Sequence, residues 1–188
     1  MKKNHILETD RLRLTMLTKK NITNDYVSWL NDPEINQFLE SRFQKHTIES
    51  LEKFFYETDQ RDDIYFFAIN HKDHNLHIGN IKIGPIDYSN NCTSVGYIIG
   101  NKNFHGQGFA SESLKRVCEF CFHDLDLFFI DAGVVATNKA SIKLLERCKF
   151  KKYSTAPKKC NLVYKRDDEL RYYINRDDYV FISSSKSL

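Results

Sequence analysis

The chain has 188 residues, enough for one well-filled domain, and its 41% hydrophobic and 28% charged residues are the composition of a soluble folded protein, not a disordered one. A formal net charge of +3, without a dense Lys/Arg stripe interleaved with aromatics, excludes a dedicated nucleic-acid binder and suits an anionic small ligand. No run approaches the roughly 20 apolar residues of a membrane span, and Glu8, Asp10, Arg11 and Arg13 interrupt any secretory segment, so no membrane partner is expected.

In chain order, RLRLTML (11–17) alternates apolar and polar residues as a half-buried strand does. A short helix follows, capped by Thr23 or Asn24 and carrying Tyr26, Val27, Trp29 and Leu30, and Pro33 starts a new turn. HTIESLEKFFYET opens another helix, with Ile48, Leu51, Phe54 and Phe55 on one face. IYFFAIN and LHIGNIKIGPI are strands joined by the turn KDHN, and a slip in the alternation predicts a bulge at Gly79–Asn80. DYSNN turns the chain into TSVGYIIG, which completes an antiparallel meander.

From Gly106 the grammar changes. Ala110, Leu114, Val117, Cys118, Cys121 and Leu125 follow helical spacing, LFFIDAGVVA is a strand, and NKASIKLLERC is a second amphipathic helix capped by Asn138. Strand, helix, strand, helix, strand is the pattern of a partly parallel sheet. FKKYST and ELRYYINRDDYVFI supply the closing strands, and APKKCNLVYKRDD between them carries no legible pattern. The expectation is one α/β domain over 1–182, with a flexible tail over 183–188.

Two of only seven glycines, Gly106 and Gly108, stand at the mouth of the first of these helices. A helix N-terminus leaves backbone N–H groups unpartnered and carries about half a positive charge, and glycine lets that backbone approach an anion. The amides of Gln107 to Ala110 are therefore a candidate phosphate cradle, with the Ser111 hydroxyl beside it; a plain strand-to-helix turn is the bland alternative. A dinucleotide fingerprint nearly fits Gly106, Gly108 and Ser111, but a five-residue loop and three preceding antiparallel strands argue against it.

His105-Gly-Gln-Gly-Phe-Ala110 resembles the pyrophosphate loop of the GNAT N-acetyltransferases, and NKASIKLLERCKF is similar to that superfamily's second motif at Asn138, Ser141, Leu144 and Phe150. With ETDRLRL, WLNDPEINQFL and VGYIIGNKNFHGQGFASESL, the likeness spans about residues 7–175 and points to the branch of ribosomal-protein and amino-sugar acetyltransferases. The resemblance implies a mixed, mostly antiparallel sheet with helices on both faces and a parallel strand pair that splays around acetyl-CoA. It implies that Tyr97, Ile98 and Ile99 pair with the pantetheine arm, and that Gln107, Gly108, Phe109 and Ala110 bind the pyrophosphate, with His105 and Ser111 nearby. Asn138 reaches the pantetheine arm or simply caps its helix, and Lys139 and Lys143 face the 3′-phosphate or only solvent.

Three residues depart from the pattern. His105 replaces the usual Arg or Gln, Lys149 replaces the glycine before Phe150, and Leu145 replaces a tyrosine thought to protonate the thiolate. Water or another acid, Tyr97 or Tyr153, is left to protonate the thiolate. Ser94 stands where branch members often carry a glutamate, leaving Glu40, Asp87 or a water-relayed path to take the proton and a strand amide near Ile98 or Ile99 as the oxyanion contact. Glu112, in the first helical turn, is expected to be structural. Trp29, Glu40, Ser41 and Arg42 form the candidate acceptor side, where Arg42 faces a phosphate or carboxylate unless the segment is only a surface loop.

The remaining signals are weaker. Cys118 and Cys121 lie mid-helix as packing residues, and His71, His74 and His77 straddle a solvated hairpin, so no metal is expected. Five cysteines at 92, 118, 121, 148 and 160 have no framework spacing, which fits a cytoplasmic protein. The function this implies is transfer of acetyl from acetyl-CoA to a primary amine, on an amino-sugar nucleotide, a protein N-terminus or a polyamine, with the small molecule favoured, by a monomer or homodimer. The alternative is a non-catalytic acyl-CoA-binding or partner-binding module.

Overall fold

A computed structural model describes residues 5–179 of the chain. The strands are β1 (Ile6–Glu8), β2 (Leu12–Met16), β3 (Tyr65–His71), β4 (Leu76–Ile83), β5 (Cys92–Ile99), β6 (Phe129–Val135), β7 (Lys151–Asn161) and β8 (Arg166–Asn175). They form one sheet in the order β1-β2-β3-β4-β5-β6-β8-β7, antiparallel throughout except for β5 beside β6. The helices are α1 (Asn24–Asn31), α2 (Pro33–Asn36), α3 (Ile48–Asp59), α4 (Phe109–Glu119) and α5 (Lys139–Arg147).

Local sequence sets most helix ends. The Thr23 hydroxyl accepts from the Tyr26 amide at the start of α1, and Thr47 and Ser50 cap α3 reciprocally. The apolar stripe of α4 (Phe109, Leu114, Val117, Cys118) packs on one sheet face with Leu145 of α5, over Ile78, Ile81, Ile83, Val95 and Ile130. On the other face Tyr26, Trp29 and Leu30 of α1 and Leu51 of α3 enclose Ile98. Cys118 and Cys121 are buried in the first of these cores, and burial pushes both thiols well above the ordinary range.

Several expectations shift. The β4 bulge falls at Ile78, since Ile69 faces Gly79 while Asn70 faces His77. Phe54 of α3 turns outward against Phe66 and the Lys82 ammonium, and Thr58 takes the buried position instead. The stretch without a legible pattern is a long β7–β8 hairpin whose register breaks twice, which removes the two-residue periodicity. β8 ends at Asn175, whose side chain accepts from the Asp178 amide as a helical turn begins. The expected tail, 183–188, and the end of the last expected strand, 180–182, lie outside the described residues.

Of the three histidines His74 is exposed on the hairpin turn as expected, but the other two are not. His71 is buried against Phe104 and Phe109, and His77 packs edge-on to Tyr26 and Trp29. Desolvation lowers the pKa of His77, whose Nε2 meets both Gly79 O and Asn80 Oδ1.

The missing glycine at the end of α5 leaves a measurable trace. Lys149 takes a left-handed φ of 67°, donating to Glu146 O while Phe150 donates to Leu145 O. A non-glycine residue costs about 1–2 kcal/mol in that conformation, partly offset by glycine's greater freedom in the unfolded chain. Lys149→Gly is therefore expected to stabilise the fold by about 1 kcal/mol, read as a rise of about 2–4 °C in Tm.

Candidate active site

The parallel ladder of β5 and β6 is short. It pairs Cys92, Thr93 and Ser94 with Phe129, Ile130 and Asp131 and then stops. Beyond it β5 pairs only with β4, and β6 only with β8, so Val95–Ile99 and Ala132–Val135 diverge around a wedge-shaped gap. Gly84 donates to Ser94 O and Gly100 to Ile78 O, which marks the even-numbered residues of this stretch as bonded to β4. Tyr97 and Ile99 therefore turn their backbone N–H groups into the gap. The Ile98 amide belongs to the β4 ladder, opposite Asn80, and is corrected as the oxyanion contact.

At the wide end of the gap lies the glycine loop. Gly106 and Gly108 adopt φ of 73° and 85°, and Gly108 serves as the N-cap of α4 without any side-chain cap. Among the described residues nothing accepts from the amides of Gln107, Gly108, Phe109, Ala110 or Ser111, so a row of N–H groups is left for an anion. The Gln107 side chain is drawn back to Asn103 O at 2.7 Å, and the His105 ring to Ile99 O at 2.8 Å. His105 thus braces loop against strand, and neither side chain plugs the cradle.

A brace that sequence reasoning missed holds the loop from β2's approach. Arg11 lies over the Phe109 ring at 4.3 Å, donates to Gln107 O at 3.2 Å, and pairs with Glu112. Glu112 also accepts from the Thr9 hydroxyl at 2.5 Å. Burial raises the Glu112 pKa, but the Thr9 and Arg11 hydrogen bonds outweigh it and hold the carboxylate below its ordinary range. The only sequence signal for this was the charge pair at Arg11 and Glu112, 101 positions apart, which no local pattern links. A depressed carboxylate stabilises the fold above its unfolded value of about 4.3 and ceases to do so as pH falls through the folded value. The Tm difference between wild type and Glu112→Gln is accordingly expected to be full at pH 7 and to shrink as pH falls below about 4.3, measured by thermal melts from neutral to acid pH.

On the second helix, Asn138 Oδ1 accepts from the Ser141 amide at 3.1 Å, which is the capping role. Lys139 donates to Ala136 O and Lys143 is exposed. Ser111 is buried in the first turn of α4. Leu145 is 1% exposed in the core, and its side chain carries no proton to give. Opposite it, Tyr97 Oη and Ser141 Oγ meet at 2.7 Å, joining β5 to α5. Burial pushes the Tyr97 phenol up to about 12, so it stays protonated at neutral pH.

The candidate bases and acceptor residues fare differently. Asp87 accepts from the Asn90 side chain and from the Asn90 and Ser89 amides, which hold its pKa down. It bridges to Cys92, five residues or about 17 Å before Tyr97, at the closed end of the strand pair. Asp87 is thus a turn residue, not a base at the gap. Trp29 is also corrected: it is buried, with its ring flat against Gly100. Arg42 donates to Leu39 O and to Asn161 O of β7, a strut between two segments that leaves it no fork for a ligand. Ser41 is half-buried in the turn Glu40–Phe43, where its carbonyl accepts from the Gln44 amide. Glu40 is exposed there, and its field reaches Lys159.

An open-sided parallel pair whose wide end meets an uncapped, glycine-led helix makes an α/β scaffold with a ready anion site beside an unpaired strand edge. Residues 11–151 match the acetyltransferase (GNAT) domain model. The chain is 31% identical over 139 residues to the probable N-acetyltransferase YjcK of Bacillus subtilis, covering 71% of this chain and 76% of that one. It is 30% identical over 149 residues to the uncharacterized N-acetyltransferase YoaA of the same organism, covering 78% and 83%. Among solved structures, spermidine N-acetyltransferase of Vibrio cholerae with CoA and spermine superposes with a TM-score of 0.83 at 20% identity, covering 92% of this chain and 99% of that one. RimL, the ribosomal L7/L12 α-N-protein acetyltransferase in complex with CoA, gives 0.83 at 18%, covering 93% and 99%. The chain belongs to the GNAT acetyltransferase family.

Proposed function

We propose that the chain transfers the acetyl group of acetyl-CoA to the primary amine of a small molecule, an amino-sugar nucleotide before a protein N-terminus. The observation that carries the reading is the gap itself, open beside the Tyr97 and Ile99 amides and continuous with the free N–H row of Gln107–Ala110. In this reading the pyrophosphate rests on that row and the thioester lies along β5. The amine nitrogen attacks the thioester carbonyl, a gap-facing strand amide meets the oxyanion, and the thiolate leaves with a proton from the Tyr97–Ser141 hydroxyl pair. The proton lost from nitrogen passes to solvent.

A small acceptor is supported by the strut of Arg42 to Asn161, which ties the Glu40–Phe43 turn to the β7–β8 hairpin and narrows that side. Charges of both signs there, at Glu40, Lys159, Glu169 and Arg171, suit an amine that also carries phosphate better than a bare polyamine. The spermidine enzyme among the structural neighbours keeps the polyamine in the test. The buried Leu145 in place of a tyrosine favours a second reading, a non-catalytic acyl-CoA binder. Acetyl-CoA is offered with an amino-sugar nucleotide, spermidine and a peptide bearing a free N-terminus, and CoA release and product mass are followed. Acetylated nucleotide sugar is the expected result, whereas acetyl-CoA binding without amine-dependent release of CoA establishes the binder.

A further inference from the structure

Continuing the Ser94–Asp131 ladder by two residues places Gly96 level with Gly133 across the gap. Both alternate with residues of the α4 core, Val95 and Tyr97 on one strand and Ala132 and Val134 on the other, so both present their bare face on the side of α1. No atom lies within 4 Å of a Cβ built on Gly96. At Gly133 such a Cβ would meet Glu169 Oε1 and Arg171 Nη1, each at 3.1 Å. The acceptor face of the splayed pair therefore has a window without side chains, and the carboxylate leaning over its rim is that of Glu169.

The partners of Glu169 are not equivalent. Arg171 is 3.6 Å from Oε1, but its guanidinium is committed to the buried Asp131, which also accepts from the Tyr153 hydroxyl at 2.8 Å. The close partner is Lys159, whose Nζ lies 2.6 Å from Oε2. Lys159 sits where β7 loses register between Ala156 and Cys160, beside a left-handed Lys158, and its side chain is 58% exposed while that of Glu169 is 14% exposed. A carboxylate so little exposed needs a cation, and the nearer of its two is on a flexible side chain facing solvent.

We infer that Glu169 receives the ammonium group of the acceptor at the mouth of the gap, and that Lys159 fills that place when no acceptor is bound. The exchange swaps one ammonium for another and leaves the charge of the rim unchanged. It rests on the acetyltransferase reading above and adds to it the residue that selects a cationic amine and the residue that competes with it.

Two variants test this, each assayed with whichever amine of the panel the wild type acetylates. Glu169→Gln is expected to raise KM for the amine about tenfold to a hundredfold, the loss of one hydrogen bond to a charged group. Lys159→Met removes the competitor and is expected to lower the same KM about threefold or more. The acetyl-CoA dissociation constant, measured by calorimetry, is expected to stay within about twofold of wild type for both. An ion pair that only supports the fold would leave both KM values in place or move them in the same direction, and either result overturns the inference. A wild type that binds acetyl-CoA but acetylates no amine instead overturns the transferase reading and the inference with it.

Discussion

Replacing Gly108 with valine is expected to weaken acetyl-CoA binding about 100-fold. Gly108 holds φ at 85°, where an L-residue costs about 1–2 kcal/mol and a β-branched one more. The backbone relieves that strain by leaving the left-handed region, which re-aims the amides of Phe109 and Ala110 that stand free at the mouth of α4. Charge-assisted hydrogen bonds contribute about 1.5–3 kcal/mol each, so losing one or two amounts to about 3 kcal/mol, or about two decades in Kd. Gly106→Ala tests strain by itself, with the smallest side chain. Its φ is also positive, at 73°, but a Cβ there meets nothing within 4 Å, so about a tenfold loss is expected. Calorimetry with acetyl-CoA measures both. Retention of wild-type affinity by the valine variant would remove the loop from the binding site.

Gly100→Ala is expected to destabilise the fold by about 3 kcal/mol, lowering Tm by about 6–12 °C. A Cβ on Gly100 would stand 2.0–2.4 Å from three atoms of the Trp29 indole, and no rotation of one methyl relieves that. The ring has little room to retreat, since it packs against Tyr26 and edge-on to His77 within the α1 core. The clash would push α1 away from the end of β5 and open the acceptor side. Thermal unfolding measures the loss. If the contact is the cause, the double variant with Trp29→Phe recovers about half of it, because the smaller ring vacates the volume; a double variant no better than the single one would place the strain elsewhere.

These two glycines also show how unevenly the sequence displays its reasons. Gly108 is legible because a pair of glycines before a helical pattern has a local meaning, a positive-φ cap with free amides, and the motif at Asn138–Phe150 reinforced it. Gly100 carries no local signal, because its partner lies 71 positions earlier. Arg11 and Glu112 were hidden for the same reason, and so was Glu169, whose relation to Gly133 exists only through the pairing of β6 with β8. Misplaced residues share the converse fault. Asp87 and Arg42 have the right chemistry for a site, but a turn and a strut already use their hydrogen-bonding groups.

The sequence by itself determined the helices of the C-terminal half with their caps, the antiparallel meander, the loop that offers its amides and the family to which the chain belongs. Those features depend on φ preferences, side-chain periodicity and capping, which act over a few neighbouring residues. Only the tertiary structure decided where the parallel strands part, which amides of β5 face the opening, and which carboxylate overhangs it. Hydrogen-bond direction along a strand and the meeting of side chains across a sheet are fixed by register between segments far apart in the chain, and register is a property of the assembled sheet.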